Sequence, residues 1–400
     1  MTGNPLEALV AGGGIGGLAC ALACARSGVR VRLYEQAAAF GEVGAGVQLG
    51  PNAVRVLQGW GLAPGLDAVA ARPQALQVMR ADTGERLATL PLGAAMLQRY
   101  RAPYLTVHRA DLHRLLLDAV AAHDAVALRT GCTVQAVAQT ADAVQLQLDG
   151  LAVEGDLLVG ADGVWSRVRD AWPGNEPARY TGHLAWRALL RQADLPAALR
   201  TQDVMAWLGP RLHVVHYPVR GGEWLNIAGF IEGPRPPDLA NWDIAPADLP
   251  AEAGGLPAAL RGAAPPLRAL AEAVPQWRLW ALCGRAPVPG ADALVRGRVA
   301  LLGDATHPML PYLAQGAGMA VEDAAELARA LAMGDIELPL RLKRYALNRW
   351  QRVARVQQRA LRNGHIFHAG GPLRLARDAS LRLLGPRLLD MPWLYGHAGH

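Results

Sequence analysis

The chain has 400 residues and a mass of 42.5 kDa, roughly two to three ordinary domains, so one composite fold or two packed domains are expected. A hydrophobic fraction of 52% against 18% charged excludes a disordered chain and provides for a sizeable core. A net charge of +6 raises a polyanion as partner, but Lys343 is the single lysine among 40 basic residues, a skew that looks like coding bias.

Residues 6–11 form a short apolar run that reads as a strand, and 15–27 a small-residue helix stopped by Gly28. Residues 29–34 alternate with period two, so the N-terminus is a βαβ start to a parallel sheet. Residues 6–25 mimic a signal peptide in hydropathy but lack a basic flank and are interrupted by five glycines. No other run approaches the ~18 apolar residues of a membrane span, so a soluble, cytoplasmic protein is expected. Cys20, Cys24, Cys132 and Cys283 make no C-x-x-C pair; Cys20 and Cys24 read as small buried side chains in a reducing compartment.

Further along, the chain is helical from Asp111 to His123, and residues 152–160 read as one strand entering Gly-Ala-Asp-Gly. Residues 180–230 alternate and are rich in aromatics, as in an antiparallel sheet with a hairpin at Gly221-Gly222. The Pro- and Gly-rich text at 233–266 reads as outer-edge loops. A strand at 298–302, a helix at 318–333 and a mostly helical tail from Pro339 complete the chain.

Gly12-Gly13-Gly14-Ile15-Gly16-Gly17 satisfies G-x-G-x-x-G between a predicted strand and helix. Gly12 permits the tight turn, Gly14 lets the backbone approach a pyrophosphate, and Gly17 allows close helix–strand packing. The helix N-terminus offers free N–H groups to the phosphates. Glu35, 18 residues beyond Gly17, ends the second strand, where a carboxylate accepts ribose hydroxyls. The fingerprint alone does not separate NAD from FAD.

A second region carries the difference. Leu301-Leu302-Gly303-Asp304 is an apolar strand ending in an acid, and Gln315-Gly316-Ala317-Gly318 opens a helix. An acid there suits a ribityl chain, and a glycine-rich helix N-terminus suits the electron-rich edge of an isoalloxazine. Asp162-Gly163 makes another strand-to-turn acid, followed closely by Arg167 and Arg169. The three segments GGGIGG…YE, GADGVWSRVR and GRVALLGDATHPMLPYLAQGAGMAVEDA occur in the order of the single-component FAD-dependent aromatic hydroxylases, and the chain resembles that p-hydroxybenzoate hydroxylase-like family. Within it, FGEVGAGVQLGPN, VHRADLH, HVVHYPVRGGE and WLYG resemble the 3-hydroxybenzoate 6-hydroxylase branch, with salicylate hydroxylases and 6-hydroxynicotinate 3-monooxygenases as near relatives.

The resemblance implies an α/β fold: a Rossmann-like FAD-binding domain (1–70, 105–178 and 281–335) interleaved with a mixed or antiparallel-sheet substrate domain (71–104 and 179–280), then a helical C-terminal segment (336–400). It implies tight, non-covalent FAD held by Gly12, Gly14, Ile15, Gly16, Gly17, Glu35 and Gln36. Arg109 would reach the pyrophosphate and ribityl region, Val134 the adenine, Asp304 the ribityl chain, and Gly316 and Ala317 the flavin ring. Asp162 would serve both FAD and the nicotinamide cofactor. The implied reaction hydroxylates a phenolic aromatic acid, such as 3-hydroxybenzoate or salicylate, with NAD(P)H and O2 through a flavin C4a-hydroperoxide. Such chemistry wants a base for the phenol proton.

Within His213-Val214-Val215-His216-Tyr217, strand parity puts His213, Val215 and Tyr217 on one face and His216 on the other. By resemblance His213 is the base and Tyr217 its hydrogen-bonding neighbour at the substrate, with Gln48 and Tyr104 lining the ring pocket. His307 is either a second polar group near the flavin or the group that fixes its turn. Pro311 stands where the 3-hydroxybenzoate branch has a glutamine, which opens the reading to a hydroxypyridine carboxylate. An NAD-dependent dehydrogenase and a non-catalytic flavin-binding protein are the remaining alternatives. With no second G-x-G-x-x-G, NADH or NADPH should visit transiently. No metal site, nucleic-acid partner or integral membrane association is expected, and a homodimer is. Eight basic residues and no acid fall between 341 and 363, where Arg352, Arg355, Arg359 and Arg362 share one helix face, solvated, subunit-facing or docking on an anionic surface.

Overall fold

The first strand runs Glu7–Ala11 and lies in the middle of a six-stranded sheet. The computed structural model that places it describes residues 5–41, 44–249 and 255–397. Residues 42–43 of the FGEVGAG text and 250–254 of the expected loop region lie outside the described residues. Arg30–Tyr34 and Leu157–Gly160 flank the first strand in parallel, Val126–Arg129 and Val299–Leu301 extend the sheet in parallel, and Val295–Arg296 closes it antiparallel. Burial on both faces explains the continuous apolar runs of these strands.

Helix Ile15–Arg26 buries nearly every residue. Its Gly, Ala and Cys side chains are small enough to bring helix Gly316–Leu331 against it. Cys20 and Cys24 are free and buried here.

The strand expected at 152–160 is two strands. Leu151–Gly155 pairs antiparallel with Val144–Leu148, whereas Leu157–Gly160 joins the parallel sheet. The break falls at Gly155, where a Cβ would stand 2.9 Å from Leu9, and at Asp156, whose carboxylate accepts the Glu7 N–H at 2.7 Å. Period-two hydropathy runs through both pieces and hides the change of sheet.

A seven-stranded sheet follows the order Arg278–Gly284, Arg179–Arg191, Trp224–Glu232, Leu212–Val219, Val204–Gly209, Ala75–Arg80, Arg86–Pro91. It is antiparallel except where Val204–Gly209 meets Ala75–Arg80. Alternation gives it two faces. Trp186, Trp207, Val214 and Ile227 enter an outer core, whereas Arg187, Ala206, His213, Tyr217, Asn226 and Phe230 border a cavity. Within 233–266 the expected loops are partly a cover for that outer core. Helices Gly255–Ala259 and Pro265–Glu272 bury Leu256, Leu267 and Leu270 against the tryptophans, a long-range pairing that Pro and Gly content does not signal.

The tail forms the 30-residue helix Leu338–Phe367, then Gly371–Leu384, Pro386–Leu389 and Pro392–Tyr395. The Arg55 guanidinium donates to the Tyr395 and His397 carbonyls at 2.9 and 2.8 Å, and the Tyr395 ring meets Tyr100 and Tyr104 edge-on. These contacts carry the tail back onto helix Pro51–Gly59 and the segment holding Tyr100 and Tyr104. Among the described residues no helix is long and apolar enough to cross a membrane.

Candidate active site

Gly12 has φ +105°, and a Cβ on it would stand 2.4 Å from the Ala161 carbonyl oxygen. A Cβ on Gly17 would lie 1.8 Å from the Gly12 oxygen. Neither position tolerates a side chain, so strand, turn and helix close into a backbone cradle. The helix that follows has no side-chain cap and no acid in its first turn, which leaves its N–H groups and positive dipole end open. Glu35 accepts the Gly13 N–H at 2.6 Å and the Ala37 N–H at 2.8 Å, so its carboxylate is aimed at the turn. Gln36 beside it is exposed, and Val134 is packed among Leu9, Tyr34 and Leu146.

Asp162 accepts Ser166 Oγ at 2.5 Å and the Val168 N–H at 3.1 Å, and burial raises its pKa. Arg169, close after Asp162 in sequence, is fully buried and donates to the carbonyls of Val164 at 3.0 Å and Ala305 at 3.3 Å. It ties the Asp162 turn to the Gly303–Ala305 turn that carries Asp304. Behind that turn, Asp323 accepts the Gly303 N–H at 3.0 Å, His307 Nε2 at 2.6 Å and Arg349 Nε at 2.7 Å. Although burial opposes it, the His307 and Arg349 charges hold Asp323 well below the usual carboxylate range. His307 thus serves the turn. Helix Gly316–Leu331 also starts without a side-chain cap or an acid in its first turn.

One cavity of about 460 Å³ joins these elements. Gly14, Ile15, Gly16, Arg109, Asp304, Gly316 and Ala317 line one end, and Gln48, Tyr104, His213 and Tyr217 line the other. Gly12, Gly17, Glu35, Gln36, Val134 and Asp162 do not border it. The site fits FAD: two open helix N-termini and an acid at a strand end face a cavity whose phosphate turn excludes Cβ atoms.

At the far end, strand Gly46–Leu49 lies flat on the sheet, because a Cβ on Gly46 would stand 2.5 Å from the Tyr217 ring and 2.7 Å from Asn226. Asn226, which sequence reasoning missed, accepts the Gly46 N–H at 2.6 Å. Gln48 accepts the Tyr104 hydroxyl at 2.7 Å and also bonds Tyr217. Burial pushes both phenols up, so both stay protonated donors. His216 faces away and accepts Trp207 Nε1 at 3.0 Å.

His213 is buried, stacked on Phe230 with ring centroids 4.5 Å apart, and its Nδ1 lies 2.7 Å from His368 Nε2. Burial, then the His368 and His183 charges, push its pKa well below the ordinary histidine value. A base poised near neutrality is therefore not what the fold makes. Burial instead favours the neutral imidazole, whose Nδ1 is engaged by His368 and whose ring borders the cavity. Tyr312, Phe367 and His368 crowd this ring from segments near or beyond residue 312, and Met391 and Tyr395 wall the cavity from the tail. Of these residues only Tyr395 falls within WLYG, the tail segment that carries the family resemblance. Pro311 borders the cavity and brings no side-chain donor.

The family described as FAD binding domain matches residues 5–220 and 288–360. A 3-hydroxybenzoate 6-hydroxylase of Polaromonas naphthalenivorans (strain CJ2) is 37% identical over 401 residues, covering 99% of this chain and 98% of that one. The 3-amino-4-hydroxybenzoate 2-monooxygenase PtmB3 of Streptomyces platensis is 38% identical over 99% of this chain and 97% of its own. Among solved structures, Klebsiella pneumoniae HpxO complexed with FAD and uric acid superposes with a TM-score of 0.81 at 28% identity, over 96% and 94% of the two chains. A salicylate hydroxylase substrate complex does so at 0.79 and 26%, over 98% and 96%.

Proposed function

The chain belongs to the FAD-binding-domain family of flavin-dependent monooxygenases, and from that premise we propose that it hydroxylates the ring of a phenolic aromatic acid, a monohydroxybenzoate or its pyridine analogue. The observation that carries this reading is the single cavity. It runs without interruption from the two helix N-termini and Asp304 to an apolar, aromatic chamber holding His213, Tyr217, Gln48 and Tyr104. FAD, when bound, supplies electron transfer from NADH or NADPH and activation of O2.

The protein's own residues do the rest. Gly12, Gly14, Ile15, Gly16 and Gly17 take the pyrophosphate, Glu35 and Gln36 the ribose, Val134 the adenine, and Arg109 and Asp304 the ribityl side. Gly316 and Ala317 offer N–H groups to the ring system, and Asp162 holds its turn for both cofactors. Neutral His213 accepts a hydrogen bond from the phenol hydroxyl and takes its proton only as the ring is attacked, which makes the ring nucleophilic, and Tyr217 and Gln48 donate to the substrate's oxygens. Phe230, Tyr312, Phe367 and Met391 keep water from the reacting atoms. Leu373, Leu375 and Leu383, exposed on helix Gly371–Leu384, suit a homodimer, and four free cysteines suit the cytoplasm.

The test is the absorption spectrum of the purified protein followed by oxygen uptake with NADH or NADPH over a panel of hydroxybenzoates and hydroxypyridine carboxylates. Bound flavin and substrate-stimulated uptake with a hydroxylated product are expected. Uptake that no aromatic acid stimulates refutes the proposal.

A further inference from the structure

The arginine face of helix Leu338–Phe367 is divided by what it meets. Arg349 donates to Glu322 and Asp323, each at 2.7 Å, and Arg352 donates to Glu322 at 2.6 Å. Arg355 lies over the Trp393 ring, 4.1 Å from its centroid. Arg359 differs. It is half-buried on the cavity wall, and its Nε is sealed from solvent with no hydrogen-bond partner among the described residues. A guanidinium keeps its charge, so an anion entering the cavity meets a cation with a donor to fill. Of the cavity's other guanidinium groups, Arg187 is engaged by Asp243 at 2.7 Å and the Trp242 carbonyl at 2.9 Å, and Arg109 has contacts of its own.

The same helix sets the distance from Arg359 to the base. Phe367 packs edge-on against His213 at 5.3 Å, and Asn363, one turn before it, donates to the Tyr312 carbonyl at 2.9 Å. Arg359 is one turn earlier still, about 12 Å from Phe367 along the axis at the standard helical rise. One substituted aromatic ring and an extended arginine side chain together fill that span. Leu313 and Met391 also line the cavity and offer apolar surface to a ring.

We propose that Arg359 is a specificity-determining residue that pairs with the carboxylate of the aromatic acid while the hydroxyl end meets His213. This rests on the aromatic-acid reading of the cavity and names how that acid is told from a neutral phenol. Lost solvation of the acid's charge is offset only where a charge-assisted hydrogen bond awaits it.

The experiment uses the FAD-loaded full chain and its Arg359→Met and Arg359→Lys variants. Binding of 3-hydroxybenzoate and of neutral 3-hydroxybenzamide is read from the change each makes in the flavin absorption spectrum. Arg359→Met is expected to weaken the acid about ten- to a hundredfold, leaving the amide and the KM for NADH unchanged. Arg359→Lys is expected to recover part of the loss. Equal weakening of acid and amide, or undiminished binding of the acid, overturns the inference while the hydroxylase reading stands. A rise confined to the KM for NADH also overturns it and assigns the cation to the donor's phosphates. A wild-type flavoprotein that responds to neither probe nor to any other hydroxyaromatic acid overturns both.

Discussion

His216 offers a quantitative check on how dry the seven-stranded sheet is. Burial pushes its pKa down to about 3, while its Nε2 accepts the Trp207 indole N–H at 3.0 Å. In the unfolded chain the same imidazole titrates near 6.5. Above that value both states are neutral and the group adds no pH dependence. As pH falls below it, the unfolded chain takes up a proton that the fold refuses, so stability is lost down to the folded value. Between pH 7 and pH 5 that loss is roughly 2 kcal/mol for this one residue. His216→Gln keeps an acceptor for the Trp207 N–H but does not titrate. Urea unfolding of the FAD-loaded protein, followed by tryptophan fluorescence at pH 7 and pH 5, should show the wild type losing about 2 kcal/mol more than the variant. Flavin release is common to both and cancels. Equal losses would refute the argument, because they require His216 to be protonated within the fold.

Three other outcomes follow from the site. His213→Ala should slow ring hydroxylation about a hundredfold or more while sparing flavin reduction, as stopped-flow traces of the two half-reactions would show; equal loss of both removes it as the base. Because burial lowers the His213 pKa, wild-type hydroxylation should not fall as pH drops through 6.5, and a titration at that value in the single-turnover rate would contradict the buried geometry. Gly17→Ala places a Cβ 1.8 Å from the Gly12 oxygen, so the cradle must open; the protein should elute from gel filtration largely without flavin, and a wild-type FAD ratio would show that the helix and strand move apart freely.

The parts of the site that sequence reveals are those whose physics is local. Gly17 is legible because its backbone collision, with the Gly12 oxygen, is decided within six residues. The cavity face of His213, Val215 and Tyr217 is legible because strand parity needs only their neighbours. The Gly303-Asp304 turn reads for the same reason. The strand break at Gly155-Asp156 does not, since it is decided by Leu9 and Glu7, about 150 residues away. Nor does the partner of His213, since His368 reaches it only after a 30-residue helix has crossed the cavity.

The net positive charge belongs to the same long-range class. Arg352 reads as part of a solvated stripe, yet it and Arg349 are taken up by Glu322 and Asp323 on helix Gly316–Leu331. The charge is thereby moved from the surface into the joint between that helix and the tail. Glu322 is held down to about 2 against its own burial, with the Arg349 and Arg352 charges and an Asn52 hydrogen bond favouring its ionised form. Breaking one partner of such a joint is costly, whereas the whole set nearly balances. One helix therefore fixes, by its inward arginines, the helix whose N-terminus opens on the cofactor end, and presents Arg359, Asn363 and Phe367 to the substrate end. Asp323→Asn should test that joint. It leaves Arg349 short of one buried anion and loosens the Gly303 turn, so both the unfolding temperature and FAD retention should drop together. A stability loss with flavin fully retained would show that the tail helix supports the fold without setting the cofactor turn.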